Sequence, residues 1–391
     1  MEVEYLKSLY ETGDCFECID YLEDNIENLL NNPPKLPEEK AELEEYFEIA
    51  KNAYMDCLEW DLANAEEMDS SIISSLGKFL ILARVFYNND DDQISYITSV
   101  WQGFGKVIEK VYVSLISDLI VSPSMEKNTV IAKRKFRFSV MVGTLEDNVL
   151  NSFDAWNKLS EEQQEQIILA AEPDEVYIAD VKFEAANTLY SSIGQRKSNE
   201  EKYDAYFVVA DLAEASSSAY KETNHNKYIA ALDLSLSAQY HVLLDMKSMM
   251  KYPALVEKDA KEILEKIKKI APEFKPSFVG VLDKRIASAK AEIAKKEEYL
   301  SKYPKAKRSL SAKKIVITLV SVFVCFVLAS AVDASVSLFM VLGLVFGLSV
   351  STIVGRRGPY QKILVNAAKN DITVLSGNVE KLEEMKGNLL K

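Results

Sequence analysis

Apolar positions recur at three- and four-residue spacing along most of the first 300 residues, whereas residues 315–355 are apolar almost without interruption. The first pattern is that of amphipathic helices, which bury one stripe and solvate the rest. It predicts helices over roughly 2–31, 38–66, 70–88, 92–121, 160–171, 176–193, 200–222, 227–249, 254–270 and 278–303. Ser160 with Gln163 and Ser198 with Glu201 have the spacing of capping boxes. Pro37 suits a first helical position, and Pro253 and Pro272 mark breaks. Only KFRFSVMVG, residues 135–143, alternates polar and apolar residues like a strand, within a connector at 123–158 that has no clear period. Short loops between consecutive helices force antiparallel neighbours, giving a bundle or a helical-repeat stack.

The second pattern is different in kind. From Ile315 to Gly355 the only charged residue is Asp333. One helix of that length would measure about 62 Å, twice the roughly 30 Å of a bilayer core. Two spans fit, 315–332 and 336–355, each with 12 residues of the Val, Leu, Ile and Phe class. At about −0.3 to −0.6 kcal/mol apiece, these favour insertion by roughly 4–7 kcal/mol per span. Asp333 then falls in the turn at the far interface; an intramembrane ion site would want a partner charge that neither span supplies. The fold class expected is therefore all-α, an antiparallel helical stack ending in a two-helix transmembrane hairpin.

Charge sets the orientation. Lys302, Lys305, Lys307, Arg308, Lys313 and Lys314 precede the first span, and Arg356, Arg357 and Lys362 follow the second. Positive flanks stay inside, so both termini are expected on the cytoplasmic side, with all of these except Lys362 taken as contacts to anionic headgroups. Small residues at four-residue spacing, Ser321, Cys325 and Ala329 on one span and Gly343, Gly347, Ser351 and Gly355 on the other, form ridges suited to close helix packing. That packing is either of the hairpin on itself or between copies in a homo-oligomer.

Flanking the apolar run are two heptad stripes. Leu282, Ile286, Ala289, Ile293 and Leu300 keep one seam, with Lys296 in it. Val365, Ala368, Ile372, Leu375, Val379, Leu382 and Leu389 keep the other, with Lys386 in it. One leads to the membrane and one leads away, so they are placed to pair antiparallel, or else each packs on the preceding helices. The chain then divides into an acidic helical part (1–125), a second helical part (126–272), a juxtamembrane helix and basic segment (273–314), the hairpin (315–355) and a terminal amphipathic or coiled-coil helix (356–391).

The net charge of −14 is uneven: residues 1–125 hold 26 acidic and 8 basic side chains. Such a front repels phosphates, so no nucleic-acid partner is expected. The start, MEVEYLKSLYETGD, lacks the apolar core of a secretory signal, and four cysteines are too few for a disulfide framework. "SLYETGDCFECIDYLED", residues 8–24, resembles the middle of a tetratricopeptide repeat. Gly13-Asp14 stands at the helix–helix turn, Cys18 in a small-residue slot and Leu22 in a large one. It departs from that pattern at Leu6, Cys15 and Asn25, and no 34-residue period follows. The resemblance implies helix pairs that bind partner peptides on a concave face, and carries over no binding residue.

Candidate chemistry is sparse. Cys15 and Cys18 form a C-x-x-C without the two further ligands a zinc site needs. Glu222 and His225 form one E-x-x-H, where a di-iron site needs two, and "KETNHNK" reads as a polar loop. His241 reads as a packed helix residue. "GFGK", residues 103–106, lacks the phosphate-loop frame. Lys133, Arg134, Lys135 and Arg137, interleaved with Phe136 and Phe138, read as a solvated connector, or as a contact to headgroups or to the acidic front. No catalytic, cofactor or metal residue is therefore expected. The function expected is a membrane-tethered scaffold or adaptor recruiting a protein partner; the alternatives are a membrane-shaping or pore-forming protein and, third, a helical-bundle enzyme.

Overall fold

The structure, a computed structural model, describes residues 3–32, 37–64, 69–87, 89–302, 316–324, 341, 345 and 357–390. These residues are all-α. They fall into two units, Met1–Phe274 and Lys275–Lys391.

The first unit contains α1 (Val3–Glu11), α2 (Cys15–Asn31), α3 (Pro37–Asn64), α4 (Ser70–Phe86), α5 (Asp90–Val121), α6 (Met125–Asn148), the short α7 (Asp154–Asn157), α8 (Glu161–Leu169), α9 (Glu175–Ser192), α10 (Asn199–Thr223), α11 (His225–Asp245) and α12 (Pro253–Ile270). Local chemistry explains most starts. The side chains of Asp14, Asp69, Asn89, Ser124, Ser160, Asp174, Ser198 and Asn224 each accept a backbone N–H in the first turn that follows. At Ser160 the reciprocal bond from Gln163 closes a full capping box. Asp90, Asp91 and Asp92 place three carboxylates at the positive end of α5.

The expected helix over 2–31 is two helices. Gly13, with φ of +83°, makes the turn, in a conformation costly for any residue with a Cβ. Cys18 and Leu22 are buried there with Leu6. The pair is not repeated: α3, α4, α5 and α6 run to 28, 17, 32 and 24 residues.

The expected strand at 135–143 is helical, inside α6. The buried positions of α6 are Ile131, Phe138, Val142 and Leu145, a helical 7-4-3 spacing that outweighs six residues of alternation. A lone strand would also have no neighbour to pair with. The connector reading of 123–158 gives way to α6, a 3₁₀ turn at Leu150–Ser152 and α7. Helix α11 ends at Asp245, short of the expected 249, and a 3₁₀ turn follows.

One hydrophobic core runs from Val3 to Ala238 and joins the acidic front to the helices behind it. Phe47 of α3 is its aromatic centre. Its ring lies 5.1 Å from Phe79, 5.3 Å from Phe86 and 5.5 Å from Tyr96, locking α3, α4 and α5 together. Tyr54 and Ser75 share a buried 2.7 Å hydrogen bond across α3 and α4. Farther along, Trp101, Phe104 and Phe138 join α5 to α6. A polar bridge ties α9, α10 and α11: Tyr220 Oη and Lys227 Nζ both donate to Asp180 Oδ1 at 2.5 Å.

The second unit contains α13 (Phe278–Lys302), a helical segment at 316–324, and α14 (Arg357–Leu390).

Candidate membrane interface

Helices α13 and α14 pair along their heptad stripes. Leu282 and Ile286 on α13, and Ala368, Val379 and Leu389 on α14, are buried. Ala289, Ile293, Lys296 and Leu300, with Val365, Ile372, Leu375, Leu382 and Lys386, are half-buried. Three ion pairs set the register: Asp283 with Lys386 at 2.6 Å, Lys290 with Glu383 at 2.7 Å and Lys296 with Asp371 at 2.8 Å. Numbers rise along one helix as they fall along the other, so the pair is antiparallel. Both seam lysines lay their stems along the seam and reach a carboxylate on the opposite helix. The Lys386 hydrogen bond holds the Asp283 carboxyl below its usual range, and Asp371 raises Lys296.

This geometry fixes two ends. Lys302, the last residue of α13, and Arg357, the first of α14, lie toward the same end of the pair. Lys302 is exposed there, with its Nζ 2.6 Å from Glu298. The chain between them contains the apolar run.

Residues 316–324 are helical and present an apolar stripe at i, i+3, i+4, i+7 and i+8. Val316, Leu319, Val320, Phe323 and Val324 are exposed, as are Val341 and Val345. Phe323 reaches 67% exposure. Exposed apolar stripes of this kind occur at interaction surfaces. Ser321 Oγ donates to Ile317 O at 2.9 Å, so its hydroxyl is satisfied within its own helix. Among the described residues no helix is long and apolar enough to cross a membrane. The expected spans are described only at 316–324, 341 and 345. Cys325, Ala329, Asp333, Gly343, Gly347, Ser351 and Gly355 lie outside the described residues, as do Lys305, Lys307, Arg308, Lys313, Lys314 and Arg356.

The remaining motifs are placed in packed helices. Cys15 and Cys57 contact each other through their thiols, and Cys18 and Cys57 are buried. Burial raises all three, Cys18 to about 11, which keeps these thiols protonated and unreactive. His225 opens α11 behind the Asn224 cap, with Glu222 in the last turn of α10, so KETNHNK is a junction of two helices instead of a polar loop. His241 stacks on Tyr206 at 4.8 Å and lies 3.3 Å from Asp245 Oδ2 through Nδ1. No group of three His, Cys, Asp or Glu side chains among the described residues is arranged to hold a metal. GFGK lies inside α5, where its glycines admit close neighbours. A Cβ on Gly105 would stand 2.5 Å from the Ala170 carbonyl oxygen, and one on Gly103 would stand 2.9 Å from Met55 Sδ.

The basic cluster, read in part as a connector, is a helical face with two sides. Arg134 turns inward and donates to the carbonyls of Leu62 and Ala63, which end α3. Lys135 and Lys182 of α9 both lie over the Tyr112 ring, at 5.6 and 5.4 Å. Burial, then repulsion from Lys135, lowers Lys182. Lys133, Phe136, Arg137 and Val140 point outward. Beside them, between α4 and α6, lies a cavity of about 440 Å³ lined by Ile73, Gly77, Ile81, Met141, Leu145 and Val149, with Lys78 at its edge. No signal in the sequence marks this cavity, because its walls come from helices more than fifty residues apart.

No protein-family model, curated protein or solved structure matches this chain.

Proposed function

We propose that this chain is a membrane-tethered helical scaffold. Residues 315–332 and 336–355 cross the bilayer as a hairpin, and the helices of the first unit present a protein-binding surface on the cytoplasmic side. The antiparallel α13–α14 pair is the observation that carries this reading. Its ion pairs bring the start and end of the apolar run to one end of the pair. An apolar segment that leaves and returns at one place crosses a bilayer an even number of times, and the run is long enough for two. The exposed apolar helix at 316–324 supports the same reading, since water is a poor solvent for it. So do the basic flanks on both sides of the run, which carry no acidic residue from Lys302 to Lys314. A scaffolding role is favoured over catalysis by where the polar clusters point: Asp180 with Tyr220 and Lys227 binds helix to helix, as does the Tyr54–Ser75 pair.

Single cysteines test the topology in a background lacking the native thiols. Cysteines at Ala334 or Ser335 are expected to react with an impermeant thiol reagent only from the non-cytoplasmic side. Those at Ser311 and Gly358 are expected to react only from the cytoplasmic side. Labelling of Ser311 and Gly358 from opposite sides, or release of the chain by alkaline carbonate, overturns the tether.

A further inference from the structure

We propose that the groove between α4 and α6 is a binding site for a neutral, single-chain amphiphile. A Cβ on Gly77 would stand 3.1 Å from Leu145 Cδ1, and Arg84 donates to Ser152 O at 2.8 Å. Residue numbers rise together at both points, so the two helices run in the same direction. Each lends the groove an apolar row at four-residue spacing: Ile73, Gly77 and Ile81 on α4, and Met141, Leu145 and Val149 on α6. Gly77 leaves the middle of its row without a side chain, and the cavity of about 440 Å³ opens over that notch. The rim is polar. Ser70, Ser74 and Lys78 stand along α4 at the same spacing, and Thr144 and Asn148 stand on α6.

Lining, charge and size select the occupant. Water filling the groove would wet the five apolar side chains of its floor, so an apolar body is favoured there. The one charged group on the rim, Lys78, already faces Glu23 at 3.9 Å. A charged ligand would therefore meet like charge about as closely as unlike charge, and gains nothing from its ionisation. Thr144 Oγ1 is spent on Val140 O at 2.8 Å. The Ser74 hydroxyl and the Asn148 side-chain amide have no hydrogen-bond partner among the described residues, and suit an uncharged hydroxyl or ester head. Each apolar row spans eight residues, about 12 Å of helix axis. Spread over that length, 440 Å³ is a cross-section of about 37 Å², enough for one hydrocarbon chain and less than half of the roughly 80 Å² of a helix with its side chains. The site goes beyond the scaffold reading and does not depend on it.

Photolabelling of the full chain in phosphatidylcholine vesicles tests this with no change to the protein. The probe is a medium-chain monoacylglycerol with a diazirine at its chain end, and cross-links are mapped by mass spectrometry. Label is expected on residues 70–81 and 140–149. Excess unlabelled monoacylglycerol is expected to reduce that label at least about fivefold, while the alkyl sulfonate of the same chain length leaves it within about twofold. S74F, changed at an exposed position on the rim and checked for native helix content, is expected to lose the label. Absence of label from both segments of the parent overturns the proposal, as does label that the unlabelled monoacylglycerol fails to displace. Equal displacement by the sulfonate refutes the neutral head, and parent-level label on folded S74F refutes the groove. A phosphatidylcholine carrying the same diazirine is expected to label these segments weakly. Stronger label from it would assign the groove to a bilayer lipid and overturn the single-chain ligand. Cross-links between copies at residues 70–81 or 140–149 would assign it to a second copy of the chain and overturn the ligand altogether.

Discussion

The same substitution, glycine to alanine, is expected to have three different outcomes in α5 and α6. In a helix interior the change gains about 0.5–1 kcal/mol, because alanine loses less backbone freedom on folding. What the new methyl meets decides the sign. At Gly143 nothing lies within 4 Å, so the whole gain is kept. At Gly103 the methyl would meet Met55 Sδ at 2.9 Å, the far part of a flexible side chain that can swing aside. The gain and the repacking cost then cancel to within about 0.5 kcal/mol. At Gly105 the methyl would stand 2.5 Å from the Ala170 carbonyl oxygen and 3.1 Å from that of Glu172. Both are backbone atoms, and neither can turn away without moving the end of α8. Overpacking of this kind costs about 1–3 kcal/mol, which leaves a net loss of up to about 2.5 kcal/mol once the helical gain is subtracted. Thermal unfolding of the full chain in detergent reads this as about 2–4 °C per kcal/mol. The expected order of midpoints is G143A highest, G103A beside the parent, and G105A lowest. A G105A midpoint at or above the parent refutes the argument that α5 approaches the end of α8 at backbone distance.

The remaining predictions concern polar contacts. S75A strands the buried Tyr54 hydroxyl, 2.7 Å away in the parent, and is expected to cost about 1–3 kcal/mol in a urea titration; adding Y54F should recover part of it, and strict additivity would refute the pairing. Asp180 is held below 3.8 by its hydrogen bonds from Lys227 and then Tyr220. Its contribution is therefore present above that value and is lost as pH falls through the lower folded value. The stability gap between the parent and D180N should narrow as pH falls from above 3.8 through that lower folded value, and a pH-independent gap refutes this. Cys18 and Cys57 are expected to resist iodoacetamide at pH 8 in the folded chain and to react in urea; rapid modification without denaturant would contradict their burial. In the α13–α14 pair, K386E should speed proteolysis of α14, and D283K in the same chain should slow it again; no rescue would refute the register.

What could be read from the sequence was what depends on local spacing. The heptad stripes and the capping residues announce themselves within one or two turns, and the structure places the stripes against each other. The strand reading of 135–143 failed because a nine-residue window saw the alternation and missed Ile131 and Leu145, which complete the helical period. The break at Gly13 was visible in the tetratricopeptide-repeat resemblance and lost in the longer apolar period. Contacts across distant segments left no local signal. Nothing in the sequence near Lys182 announces Lys135 and Tyr112, and nothing near Gly77 announces the α6 wall of the cavity. Outward Lys133 and inward Arg134 are adjacent in sequence, and only the helical phase set by Phe138 separates their roles.

The seam lysines explain why α13 and α14 choose each other. A polar residue at a seam position costs stability in every pairing, and so selects the pairing that satisfies it. In the antiparallel α13–α14 pair Lys296 meets Asp371 and Lys386 meets Asp283. A parallel pairing of two α13 helices from different copies would place Lys296 against Lys296, and one of two α14 helices would place Lys386 against Lys386. Both put like charges in a half-buried seam, where water screens them poorly. Parallel homotypic pairs of these helices are therefore disfavoured by their own charges, while the pairing of α13 with α14 is favoured by the same residues. With that pair closed, Lys302 and Arg357 stand toward one end of it, so the feature that would hold a hairpin in a bilayer is written outside the apolar run, in four charged side chains.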